Sequence, residues 1–211
     1  MSDQPEQPER PQIYLVTPPV FDPEAFIPLL ARILNAVPVA CLRLAWAGQD
    51  EDAISRAADA LRGLAHERDI ALVIDRHTQL AERLGLDGVH LPEGARNLRK
   101  LREAMGADAI IGVACGASRH DGLNAAEAGA DYISFGPVGE TPLGTGTRAD
   151  HDLFAWWSEV IEVPVVAEGA LTPALVKSFA PVTDFFAIGD EIWGAEDPLA
   201  ALKALVAPLG Y

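Results

Sequence analysis

The sequence predicts an α/β fold, a single closed (β/α)8 TIM barrel, on three observations. Eight short apolar runs recur along the chain, each followed by a helical pattern. The runs are continuously apolar instead of alternating, as parallel strands covered by helices read. Eight such units fill a closed barrel with no element left over. A doubly wound open sheet is the other arrangement such units allow. Its dinucleotide site would need a glycine-rich turn after the first strand, and Thr17-Pro18-Pro19 stands there instead.

Ile13 to Val16 is the first strand, and Asp22-Pro23 followed by Glu24 signals the start of a helix reaching about Asn35. Val39 to Ala45 is the second strand. Its helix spans Asp50 to Arg68, with Ala53, Ile54, Ala57, Ala60, Leu61 and Leu64 as the inward stripe. Ala71 to Ile74, ending on Asp75-Arg76, leads into a helix over Thr78 to Leu84 that Gly85 stops. Gly88 to Leu91 follows, with a helix from about Arg96 to Ala104. Ala109 to Cys115 with Ser118 to Ala128, and Tyr132 to Val138 with Asp150 to Ile161, make units five and six. Val163 to Ala167 with Thr172 to Phe179, and Asp184 to Ile188 with Asp197 to Val206, complete the eight.

At 211 residues and 49% hydrophobic content, the chain is long enough for one well-buried domain, expected over 13–211. Residues 1–12, with three prolines and mixed charge, read as a disordered leader. Sixteen Lys and Arg against 31 Asp and Glu give a net charge of −15, which argues against nucleic acid or an anionic membrane surface as partner. No apolar run reaches membrane-spanning length. Cys41 and Cys115 sit in apolar strand-like runs without metal or redox spacing, so they read as reduced packing thiols and a cytoplasmic protein is expected.

In such a barrel, chemistry belongs to the loops after the strands. Arg43 alternates with Leu42 and Leu44, which turns it inward, where it needs a carboxylate or a ligand anion as partner. Asp75-Arg76 reads as a metal-ligating carboxylate beside a phosphate-facing base, or as the cap and first turn of the third helix. His90, inside the run GVHL, is either a ligand contact or a satisfied core histidine. Gly139 to Ala149, GETPLGTGTRA, has the composition of a lid or of a flexible surface loop.

Together with Asp75, the residues Glu93, Glu140, Glu168, Asp190 and Glu191 make the mouth acidic. Such a mouth suits a divalent cation, or a cationic ring stacked on Trp46 and Trp193. The other reading makes the carboxylates helix caps and the tryptophans rim packing. Trp156 and Trp157 adjoin in one helix, so one is expected in the core and one exposed.

Several quoted runs then line up with one family. They are IYLVT at Ile13 to Thr17, Leu42-Arg43, Asp75-Arg76, DGVHL at Asp87 to Leu91, IIGV at Ile110 to Val113, EAGADYISFGPV at Glu127 to Val138, Thr141-Pro142, PVVAEG at Pro164 to Gly169 and AEDPLAAL at Ala195 to Leu202. In this order, over nearly the whole chain, they resemble thiamine phosphate synthase and its thiazole tautomerase relatives. The resemblance implies a transferase that joins hydroxymethylpyrimidine diphosphate to thiazole phosphate and releases diphosphate, with Mg2+ and basic residues holding the leaving group. It implies catalytic roles for Arg43 and Asp75, with Asp75 the metal ligand. Arg76, His90, Thr141, Gly169 and Asp190 become the substrate-binding set. It also implies a possible homodimer.

Carried over position by position, much of the family pattern is replaced. The second strand keeps Arg43 but lacks the flanking glutamine and lysine, and Ile74 stands for the amide before Asp75-Arg76. Pro92-Glu93-Gly94-Ala95 stands where a second metal aspartate is expected. Ala114 or Cys115 takes the place of a serine, and Leu143-Gly144 that of Thr-Lys. The tautomerase histidine aligns with Pro137. In the loops after strands seven and eight, where such barrels bind phosphate, Glu168 precedes Gly169-Ala170 instead of a glycine pair, and Asp190 replaces a serine. Carboxylates facing that mouth would repel a phosphate. The alternative function is therefore a barrel of the same ancestry that binds a divalent cation or an unphosphorylated cationic ligand.

Overall fold

Eight parallel strands close into a barrel in sequence order: β1 (Gln12–Val16), β2 (Cys41–Leu44), β3 (Ala71–Asp75), β4 (Gly88–Leu91), β5 (Ile110–Ala114), β6 (Tyr132–Phe135), β7 (Val165–Glu168) and β8 (Phe185–Ile188), with β8 pairing back to β1. The structure, a computed structural model, describes residues 10–141 and 147–211. The expected leader lies outside the described residues as far as position 9, and so do Pro142, Leu143 and Gly144 in the loop expected to form a lid. The helices are α1 (Pro23–Ala36), α2 (Glu51–His66), α3 (Thr78–Leu84), α4 (Leu98–Met105), α5 (Arg119–Glu127), α6 (His151–Val160), α7 (Pro173–Phe179), α8 (Asp190–Trp193) and α9 (Pro198–Val206).

Strand periodicity sorts the side chains into two cores. Outward positions such as Ile13, Leu42, Ile74, Val89, Ile111, Ile133, Phe186 and Ile188 are buried under the helices. Inward positions Tyr14, Val73, Tyr132, Val166 and Ala187 fill the barrel itself. Gly112 makes room for one of them, because a Cβ there would lie 1.9 Å from the Tyr132 ring. Trp157 is buried and Trp156 half-buried, as their adjacency requires.

The differences from the sequence reading have local causes. β1 begins at Gln12, whose N–H donates to the Asp184 carbonyl at 2.8 Å. β6 stops at Phe135 instead of Val138, because Pro137 has no N–H for the ladder. α4 starts at Leu98, after Asn97 turns left-handed at φ 62°. Asp22 occupies the cap position of α1 without a side-chain hydrogen bond, whereas Asp50, Ser118, Asp150, Thr172 and Asp197 cap theirs. α8 was not expected; it forms directly after β8.

Candidate active site at the barrel mouth

Three inward positions at the carboxyl ends of β2, β3 and β7 bring Arg43, Asp75 and Glu168 together. The Arg43 Nη1 donates to Glu168 Oε2 at 3.1 Å, and its Nε lies 3.5 Å from Asp75 Oδ1. Arg43 is only 9% exposed and lies over the Tyr14 ring at 5.6 Å. Burial disfavours its charge, yet Glu168, then Tyr14 and Asp75, more than compensate and hold the guanidinium protonated. One cation is thus shared by two carboxylates. Burial pushes the Asp75 carboxyl up to about 6, Arg43 opposes this, and Glu168 adds to it.

Arg43 Nε and Asp75 Oδ1 are buried without a hydrogen-bond partner, and so is Ser134 Oγ on β6. The first two face each other across the 3.5 Å ion pair, and buried polar atoms left without a hydrogen bond are costly to a fold.

Beneath this layer, Tyr14 and Tyr132 share a hydrogen bond between their hydroxyls at 2.6 Å, and Tyr132 Oη lies 3.0 Å from His90 Nδ1. Burial, then the nearby Arg43, keeps His90 well below the ordinary histidine range, so the imidazole is neutral. His90 therefore sits inside the barrel core and does not line the mouth cavity.

That cavity, of about 350 Å³, is walled by the loops after β1, β2, β6, β7 and β8. Arg43, Thr141, Glu168, Gly169, Asp190 and Glu191 all face it. Gly169 has φ 89°, and a Cβ on it would meet Pro137 at 2.9 Å, so the loop after β7 needs glycine there. Ala170 follows at φ 53°, in the left-handed region, where the resembled pattern has a second glycine. Glu191 turns back across the mouth. Its Oε2 accepts from the Gly189 N–H at 2.9 Å and its Oε1 from the Leu171 N–H at 3.1 Å.

Other expected contacts fall elsewhere. Arg76 is exposed at φ 54°, just past β3. The Asp75 side chain faces Arg43, and His77 takes the cap position of α3. Trp193 donates its indole N–H to the Val16 carbonyl at 2.7 Å, and Trp46 packs edge-on against Phe21. Both tryptophans are thus engaged in the rim.

The residues present do not cage a magnesium ion. Asp75 is held against a guanidinium, and no three His, Cys, Asp or Glu side chains converge among the described residues. Mg2+ is commonly held by one or two carboxylates plus substrate phosphates, and Asp75 offers at most one ligand of that kind.

Residues 13–187 match the family model described as thiamine monophosphate synthase. The chain belongs to this family. A thiamine-phosphate synthase of Rhodospirillum centenum is 43% identical over 189 residues, spanning 86% of this chain and 89% of the relative. That of Erythrobacter litoralis is 36% identical, spanning 92% of each. In three dimensions, the thiamine phosphate pyrophosphorylase of Pyrococcus furiosus superposes with a TM-score of 0.77 at 22% identity, over 94% of this chain and 95% of the other. This agrees with the closed barrel seen here.

Of the residues singled out from the sequence, Arg43, Thr141, Gly169 and Asp190 line the mouth cavity, and Asp75 pairs with Arg43 beside it. Tyr14, Tyr132 and Ser134 also point inward and were not singled out from the sequence; the two tyrosines belong to the barrel core beneath the mouth. Their signal was available, since Tyr14 lies between outward Ile13 and Leu15, and Tyr132 and Ser134 flank outward Ile133.

Proposed function

We propose that this chain is a transferase of the thiamine-phosphate synthase type, joining hydroxymethylpyrimidine diphosphate to the ring nitrogen of thiazole phosphate and releasing diphosphate. The observation that supports it most is 43% identity, over 86% of this chain and 89% of the relative, to a protein named for that synthesis. The mouth geometry is compatible with it. The C–O bond to diphosphate breaks with its electron pair leaving on oxygen, and the thiazole nitrogen lone pair forms the new C–N bond. The thiazolium formed carries positive charge.

Arg43, Asp75 and Glu168 together carry a net negative charge at the floor of the cavity, which favours a cation developing above them. Arg76, exposed just past β3 and outside the lining of the cavity, is the cation the family resemblance assigns to the diphosphate. Thr141 and Gly169 line the same space and belong to the substrate-binding set. Family membership is consistent with a Mg2+ requirement. The metal would arrive on the diphosphate, with Asp75 the one carboxylate kept from the resembled pair.

Solubility without a lipid partner fits the absence, among the described residues, of a helix long and apolar enough to cross a membrane. A cytoplasmic location and a homodimer complete the reading. The test is diphosphate release by the purified protein with Mg2+, measured with and without a thiazole acceptor. Acceptor-dependent release is expected, and its absence from a folded sample overturns the reading.

A further inference from the structure

Arg43 is held from two sides. Toward the carboxyl ends of the strands its guanidinium meets Glu168 at 3.1 Å through Nη1 and Asp75 at 3.5 Å through Nε. On the barrel side it lies over the Tyr14 ring, 5.6 Å from the centroid, within the range at which a ring face attracts a cation. The carboxylates hold two of its nitrogens, and the surface beneath the group is Tyr14.

That ring is itself tethered. The Tyr14 hydroxyl bonds to the Tyr132 hydroxyl at 2.6 Å, and Tyr132 Oη lies 3.0 Å from His90 Nδ1. The two tyrosines meet edge to face at 5.7 Å, while His90 stacks on Tyr132 with 18° between the planes. All three side chains are buried. The direction that gives both hydroxyl hydrogens an acceptor runs from Tyr14 to Tyr132 to His90, whose neutral ring accepts at Nδ1. Reversed, the Tyr14 hydrogen has no acceptor among the described hydrogen bonds. Tyr132 is the link on which both others depend, and Gly112 leaves the space its ring fills. It does not line the mouth cavity, so its effect on a reaction there must pass through other residues.

We propose that Tyr132 is a positioning residue for Arg43. Its hydroxyl fixes the Tyr14 ring, and that ring fixes the guanidinium against Asp75 and Glu168. The kinetic consequence rests on the transferase reading above. A displaced guanidinium changes the field at the charge that develops as the C–O bond breaks, an interaction made in the transition state more than with bound substrate. The loss therefore falls on kcat more than on KM.

The test is a double-mutant cycle of Tyr132→Phe with Arg43→Lys, assayed with hydroxymethylpyrimidine diphosphate, thiazole phosphate and Mg2+. Each protein is shown folded by circular dichroism and measured well below its Tm. Tyr132→Phe is expected to lower kcat by about tenfold and to change either KM by less than about threefold. The double variant should be no slower than Arg43→Lys within about twofold, because the positioned group is already gone. Tyr14→Phe cuts the same tether at its other end and should repeat the loss, which keeps the test open if Tyr132→Phe fails to fold. A wild-type kcat in Tyr132→Phe overturns the proposal, as do losses that multiply in the double variant, the outcome of a purely structural role.

A readout without turnover separates the proposal from the reading it rests on. In 15N-resolved NMR of the full chain without substrates, the Arg43 Nε–H signal is assigned by its loss in Arg43→Lys. A protected signal is expected in the wild type, and loss of that protection in Tyr132→Phe or Tyr14→Phe. A signal unmoved in both refutes the positioning role. A folded wild type without turnover overturns the transferase reading, while the NMR result still decides whether Tyr132 holds Arg43.

Discussion

Replacing Asp75 by asparagine is expected to stabilise the folded protein at neutral pH, although it removes a carboxylate from an ion pair. Breaking a buried pair commonly costs about 3–5 kcal/mol because a charge is left alone. Here Arg43 keeps Glu168 at 3.1 Å, so no lone charge results. What Asp75→Asn removes is a carboxyl that burial, with Glu168 adding to it and Arg43 opposing, has pushed up from 3.8 to about 6.

The folded value lies above the unfolded one, so between them the folded state holds the proton more tightly. Stability is full below about pH 4 and is lost as pH rises through about 6. That interval corresponds to about 3 kcal/mol. The side chain is 17% exposed, and an amide accepts less well than a carboxylate from Arg43. A gain of about 1–2 kcal/mol at pH 7 is therefore expected, or a rise in Tm of about 2–8 °C. Urea unfolding of both proteins between about pH 4 and pH 7 measures it. The difference should be near zero at the acid end and grow with pH. A variant less stable than wild type at pH 7, or a difference independent of pH, refutes the reasoning. The expected result would mark Asp75 as kept for function against stability.

Three further outcomes follow from the geometry. Gly112→Ala puts a methyl group into the buried Tyr132 ring and should cost about 1–3 kcal/mol, read as a lower Tm with the fold intact by circular dichroism. Tyr132→Phe leaves the Tyr14 hydroxyl and His90 Nδ1 without their shared partner inside the barrel, and a loss of about 1–3 kcal/mol in urea unfolding is expected. Ala170→Gly relieves a left-handed alanine at φ 53° and should raise stability by up to about 1 kcal/mol; a lower midpoint would contradict the assigned backbone.

The barrel was legible in the sequence because its outer face is built from uninterrupted apolar runs. Ile13, Leu42, Ile74, Val89 and Ile133 announce strands whatever their partners. The inward alternation of Arg43 was legible for the same reason, and so was its need of a carboxylate. Which carboxylates answer it was not, because Asp75 and Glu168 lie far apart in the chain and meet only on closure. α8 escaped notice because a four-residue helix carries too little periodicity to read. The turn it makes brings Glu191 back onto the Leu171 and Gly189 amides, so that residue was visible in the sequence as an acid but not as a hydrogen-bond acceptor. His90 was ambiguous in sequence since the run GVHL suits core and contact alike, and only its burial against Tyr132 places it below the mouth.

The most direct test of the account is the mass of the product formed when the folded wild-type protein is given hydroxymethylpyrimidine diphosphate, Mg2+ and thiazole phosphate. The expected product is the C–N-linked pyrimidine–thiazolium phosphate. A folded protein that yields no linked product would contradict the assignment of transferase chemistry to this mouth.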